Sequence, residues 1–333
     1  MMNRSSTTAI ALLLFLLSGT AVVSCVQPLP PGWQIIRPPH VVSAIAIQDN
    51  SIWAGGEGEV YGIDRGNSSI TTRLRCDPPL DYVKALLADG SRGLFIGHFN
   101  GLTYYDGTAC RTLTRKDGLP DNRVNALLED RDGQVWVGTW GGVAVGHDGN
   151  WRVLTSADGL IDDMVNVILQ DSKGGMWFGS YVAPAGGISY FKDGKWQLFS
   201  TRDGLPHNNI TSLIEDRDGT IWAGTGFSDH GGAAQFVPTP GGWTIQRTFS
   251  HRDGLAGNKV RSLLQDTSGV LWFGSEYDGL ARYRNGKWHV MTEKDGLAHP
   301  EILCMVQDKD GNLWIGTRDG LTRLNPEAFR ALP

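Results

Sequence analysis

Seven aromatic residues, each opening an aromatic-x-Gly triplet, recur at nearly even intervals along the chain. They are Trp53, Phe95, Trp136, Trp177, Trp222, Trp272 and Trp314, spaced 41 to 50 residues apart. A unit of this length made of short strands cannot cover its own faces, so the copies must stack on one another.

The third copy, residues 121–160, shows what each unit contains. VNALL is a short run of strand formers, DRDG a turn and VWVG a second strand. Gly141 and Gly142 break that strand before VAV, HDGN turns the chain again, and WRVL makes a fourth strand. Strand runs of this length between Asp, Gly and Asn clusters are hairpin signals. No stretch after residue 30 keeps a 3.6-residue apolar period. Four antiparallel strands repeated seven times predict an all-β, seven-bladed β-propeller. Each repeated aromatic is expected to wedge between blades, burying about 150–250 Å².

The recurring residues are "DGL" (at Asp117, Asp158, Asp203, Asp253 and Asp295), an apolar strand ending in Glu/Gln-Asp, a turn Gly, and W-x-G-[ST]. This pattern resembles the two-component regulator propeller repeat. It lacks the GH…WD pairing of WD40 repeats and the double glycine after strand two in every copy of kelch repeats. The resemblance spans essentially the whole mature chain, with the first copy (residues 41–80) degenerate. It implies a periplasmic ligand-sensing propeller of the kind found in hybrid sensor kinases, many of them tuned to polysaccharides.

A second tryptophan marks strand four in several copies: Trp151, Trp196, Trp243 and Trp288. The last copy has none, but GWQII, beginning at Gly32, reads like GKWQLF and precedes the first copy. An N-terminal strand is therefore expected to complete the seventh blade and remove an open edge. In the alternative, Phe329 supplies strand four.

Three domain segments follow. Residues 1–24 read as a secretion signal: Arg4, an apolar run, then small residues. Val22-Val23-Ser24-Cys25 resembles a bacterial lipobox, which implies lipidation of Cys25 and a membrane attachment through it. Residues 25–31 form a short, stiff tether, and 32–333 the propeller. The expected location is the bacterial cell envelope, lipid-anchored, periplasmic or surface-exposed. A net charge of −5 with no Lys/Arg cluster argues against nucleic acid as a partner. Cys76 and Cys110 fall near opposite ends of fourth strands in neighbouring copies. An oxidising compartment would permit a disulfide, but that placement argues against one. Cys304 is expected inside the last copy.

Loops joining strands two and three share a propeller face with the connections between blades. The residues four or five places after each strand-two marker are Glu57, Phe99, Trp140, Tyr181, Phe227, Tyr277 and Arg318, five of them aromatic. Radial equivalence would make them a ring around the channel mouth, with His98, Asp229, His230, Glu276, Asp278 and Asp319 as polar neighbours. Aromatic faces beside carboxylates suit sugar rings; the same aromatics could instead pack on the next blade. Insertions at 181–187, 226–232 and 237–242 set copies four and five apart, the first two on that face.

DRDG and DKDG turns at Asp130, Asp216 and Asp308 carry only a fragment of a calcium loop. They and the "DGL" aspartates are read as turn-forming, and no metal or cofactor is expected. His98, His207, His230 and His299 are candidates to project toward that face, with Glu57 and Glu276 as acid–base partners. Streptogramin lyases, also seven-bladed, use a histidine and a metal there, so a metal-dependent enzyme is an alternative. A protein-interaction scaffold in an envelope complex is another. The preferred reading is a binding propeller without chemistry, taking an oligosaccharide or cell-wall glycan. With no later membrane span or kinase motif in the sequence, its signal would pass through a partner protein in the envelope.

Overall fold

Each cassette folds as one four-stranded antiparallel sheet, and the seven sheets form a β-propeller. The computed structural model describes residues 28–90, 93–147, 150–181 and 185–330. The secretion signal, Cys25 and residues 182–184 of the fourth-copy insertion lie outside the described residues. Blades one to six occupy residues 44–74, 85–113, 124–154, 165–199, 210–249 and 260–291. Blade three shows the order: Val124–Glu129 innermost, then Val135–Thr139, Gly142–His147 and Asn150–Leu154 outermost.

Blade seven takes three strands from residues 302–324 and its fourth from Trp33–Ile36. That strand pairs antiparallel in register, from Trp33 opposite Leu324 to Ile36 opposite Leu321. Trp33 is buried among Leu297, Met305 and Leu313, as a strand-four tryptophan should be. The C-terminal segment, including Phe329, forms a helical turn, Pro326–Arg330, rather than a strand. Pairing the two ends covers the outer edge of Gly320–Leu324 and completes the blade.

The strand-two aromatics fill the seams between blades. Trp177 packs with Leu213 and Phe236 of blade five, Trp272 with Met305 and Ile315 of blade seven, and Trp314 with Ile45 and Ile52 of blade one. Five of the wedges are tied to their own turns. The indole Nε1 of Trp136, Trp177, Trp222, Trp272 and Trp314 donates to Asp130, Asp171, Asp216, Asp266 and Asp308, at 2.7 to 3.0 Å. The other carboxylate oxygen of each aspartate accepts two backbone N–H groups of the turn, as Asp130 does from Asp132 and Gln134. Both oxygens are thus committed to folding the hairpin and seating the indole.

The "DGL" segments also do structural work. Each follows a 3₁₀ turn, such as Arg115–Asp117, closed by a capping box in which Asp117 accepts from the Thr114 backbone and hydroxyl. The glycine that follows must be small and left-handed. Gly254 has φ 122°, and a Cβ there would stand 2.4 Å from Trp288 of the next outer strand.

The expectation for the cysteines is overturned. Cys76 and Cys110 are bonded, with Cα atoms 5.6 Å apart. Blade one has no 3₁₀ turn after its outer strand Ile70–Leu74. Its chain instead runs alongside the hairpin of blade two, where Arg75, Cys76 and Asp77 lie against Tyr105, Thr108 and Cys110. Opposite strand ends therefore meet. Cys304 stays free, and burial pushes its thiol up to about 12.

The insertions of blade five are not loops. Its middle strands lengthen to Ile221–Phe227 and His230–Thr239, so residues 226–232 form the tip of an extended hairpin, with Phe227 paired to His230. Residues 237–242 likewise lengthen the hairpin to the outer strand.

Candidate functional site at the channel mouth

The turns after strand two are clamped to the interblade connections. Phe99, Trp140 and Tyr181 donate their backbone N–H to Asp81, Arg123 and Met164, at 2.8, 3.3 and 3.0 Å. Gly226 to Asn209 and Glu276 to Lys259 repeat the contact in blades five and six. The two sets of connections accordingly share one face.

Below that face the inner strands are shaped by a repeated irregularity. Asn125, Asn166, Thr211, Arg261 and Leu303 each sit at a break in the ladder between the first two strands of their blade. A bulge re-aims a side chain, and here all five are turned into the channel. Ser43 and Lys84, just ahead of their inner strands, complete the circle. Several of these residues bond to the neighbouring blade. Asn166 Nδ2 donates to Ile210 O at 2.8 Å and Asn125 Nδ2 to Val165 O at 3.3 Å, and the hydroxyls of Ser43 and Thr211 donate to Val83 O and Val260 O. The result is a polar belt around a cavity of about 330 Å³.

Phe99, Trp140 and Tyr181 line the same cavity. Phe99 stands 5.9 Å from Trp140 and 5.2 Å from Tyr82, and the Arg123 guanidinium lies 4.1 Å over the Trp140 ring. All three lining aromatics are only half-buried, so their faces are not used up in the core.

The expected ring is therefore an arc over blades two to four. Phe227 and Tyr277 are more than half exposed and stand away from the central cavity. Phe227 has the Lys259 ammonium 5.7 Å from its ring, and the Tyr277 hydroxyl donates to Glu276 at 3.0 Å. Arg318 reaches Glu301 at 3.7 Å. Glu57 is exposed on its turn, outside the arc. Opposite the aromatics the mouth is charged: Glu276 pairs with Lys259 and, at 3.4 Å, with Arg261. Burial pushes the Glu276 carboxyl up, but the two cations outweigh it and hold it below the ordinary range.

The histidines correct the sequence picture further. His98 does not reach the face. It is fully buried, its Nε2 2.8 Å from the Thr103 hydroxyl, with Nδ1 accepting from Asn100 N–H, and burial lowers its pKa to about 4. His230 is exposed and meets Asp229 at 2.6 Å. His207 and His299 each accept, through Nδ1, the N–H two residues on. Asp121 and Asp162 do the same at the equivalent turns, so these two histidines are turn residues.

Sequence reasoning missed the polar belt. Its signal was one column of the cassette, the residue after a β-branched residue at, or just ahead of, the start of each inner strand, as in Val83-Lys84, Val165-Asn166 and Val260-Arg261.

The two component regulator propeller family model matches residues 118–141, 159–182, 204–227, 254–277 and 296–319. Each match runs from a "DGL" glycine to the rim position just after strand two. No curated protein matches the chain. Among solved structures, the chain is similar to an extracellular domain assigned to a hybrid two component system of B. thetaiotaomicron, at 21% identity and TM-score 0.77, covering 91% of this chain and 42% of that one. It therefore spans less than half of that domain. Virginiamycin B lyase from Staphylococcus aureus aligns at 15% identity and TM-score 0.68, over 88% of this chain and 98% of the lyase. PorZ, a surface component of the type-IX secretion system of Porphyromonas gingivalis, aligns at 15% and 0.63, over 86% and 46%. At these identities the likenesses concern the fold.

Proposed function

Because the chain belongs to the two component regulator propeller family, we propose that it is an extracytoplasmic ligand-recognition propeller that binds an oligosaccharide at its channel mouth. The observation that carries the reading is the arc of Phe99, Trp140 and Tyr181 over a cavity belted by amides and hydroxyls. A sugar presents apolar C–H faces and polar edges, and half-buried aromatic rings beside hydrogen-bonding side chains complement both. The Cys76–Cys110 disulfide suits an oxidising compartment outside the cytoplasm. Lipidation of Cys25 would hold the propeller at the membrane, and a partner protein of the envelope would carry the signal onward.

A glycan array probed with the wild-type protein and with a Trp140→Ala/Tyr181→Ala variant tests the reading. Retention of a defined glycan class by the wild type alone supports it. Equal retention by a folded double variant, or no retention of any glycan by the wild type, contradicts it.

A further inference from the structure

We infer that the ligand presents an anionic group to the channel, the uronate carboxylate or sulfate ester of an acidic saccharide, and that Lys84 and Arg261 receive it. The inference rests on the channel-mouth reading and goes beyond it by naming the chemistry of the ligand.

Lys84 and Arg261 belong to blades two and six, so they face each other across the channel, and both line the central cavity. Two cations held in one small cavity repel each other, and such an arrangement is stabilised by an anion between them. The nearby carboxylates are already engaged. Glu276 is shared by Lys259 and Arg261, and Glu301 lies beside Arg318. Lys84 makes no ion pair among the described residues. The residues lining the central cavity thus include two cations and no carboxylate, in a chain whose net charge is −5. A positive channel in a negative protein is not a by-product of composition.

Lys84 already feels this field. Its side chain opens on the channel, yet protein crowds the ammonium. That lost solvation, with the Arg261 charge next, lowers its pKa below the ordinary lysine range, against the pull of Glu301. An arriving oxyanion would relieve both effects. The Asn125 and Asn166 amides lie on the same belt, and the aromatic arc stands above it. A sugar stacked on Trp140 or Tyr181 can therefore lower a carboxylate or sulfate toward the two cations.

The experiment is an array carrying uronate oligosaccharides, sulfated oligosaccharides, and the carboxyl-reduced and desulfated counterparts of each. Wild type, Lys84→Met and Lys84→Glu are compared, with thermal melts confirming folding. Lys84→Glu supplies Arg261 with a carboxylate facing it, so the fold should tolerate it. The expected result is retention of an acidic glycan and not its neutral counterpart. Affinity should fall tenfold or more in Lys84→Met, vanish in Lys84→Glu, and weaken as salt rises from 50 to 500 mM. The uronate and sulfate arms separate the two sources of charge. Equal retention of acidic and neutral counterparts overturns the anion assignment and leaves the channel-mouth reading standing. Acidic-glycan binding unchanged in both Lys84 variants also overturns it. No retention of any glycan overturns both.

Discussion

Asp171 holds the indole of Trp177 at 3.0 Å, and neither side chain has measurable exposure. The same aspartate accepts N–H bonds from Lys173 and Gly175. One residue therefore closes a hairpin and fixes the rotamer of the wedge between blades four and five. Asp171→Ala strips three donors of their acceptor, two of them buried, and a loss of about 3 kcal/mol is expected. Asp171→Asn keeps one acceptor oxygen and should cost about half as much. Urea unfolding of both variants measures the difference.

Ring closure rests on Trp33–Ile36. Trp33→Ala empties a buried site against Met305 and Leu313 and should cost about 3–5 kcal/mol. Removing residues 28–37 should do more, because the third strand of blade seven becomes an open edge that can pair with another chain. Size-exclusion chromatography should then show association, which Trp33→Ala alone should not cause.

The stability of the fold should depend on pH through His98. Its folded pKa is about 4 against an unfolded value of 6.5, so between those values the unfolded chain binds the extra proton. Stability is accordingly complete above pH 6.5, declines as the pH falls, and loses at most about 3 kcal/mol by pH 4. His98→Gln should flatten that part of the pH–stability profile measured by urea titration, leaving only the contribution of the carboxylates.

Strand count, blade boundaries and the N-terminal closing strand were legible in the sequence because they depend on local patterns. Asp-Gly turns, alternating apolar runs and a displaced copy of GKWQLF each report on their own few residues. The Asp171–Trp177 tie was legible as a turn but not as a tether, since nothing in "DSKGGMW" says where the second carboxylate oxygen points. The site was only partly legible. Trp140 and Tyr181 lie in a regular column, but radial equivalence failed at Phe227, where the lengthened hairpin of blade five carries the ring away from the axis. His98 looked like a loop histidine, yet its burial and its bond to Thr103 depend on the third strand. Lys84 and Arg261 were overlooked because their meeting depends on closure of the whole ring, and they are far apart in sequence.

The Cys76–Cys110 bond ties the connection after blade one to the outer hairpin of blade two. It closes a loop of 34 residues, which corresponds to about 2–4 kcal/mol of stability. Replacing both cysteines with serine should lower the unfolding free energy by that amount and move the urea midpoint down accordingly. Adding a reductant to the wild type should give the same midpoint, and the serine variant should not respond to it.

The most direct test of the central claim is where a ligand sits. Co-crystals with the glycan most strongly retained on the array should show a sugar ring against Trp140 or Tyr181, with its polar edge toward Asn125 and Asn166. Ligand density on the opposite face or the outer rim, with the mouth empty, would contradict the account.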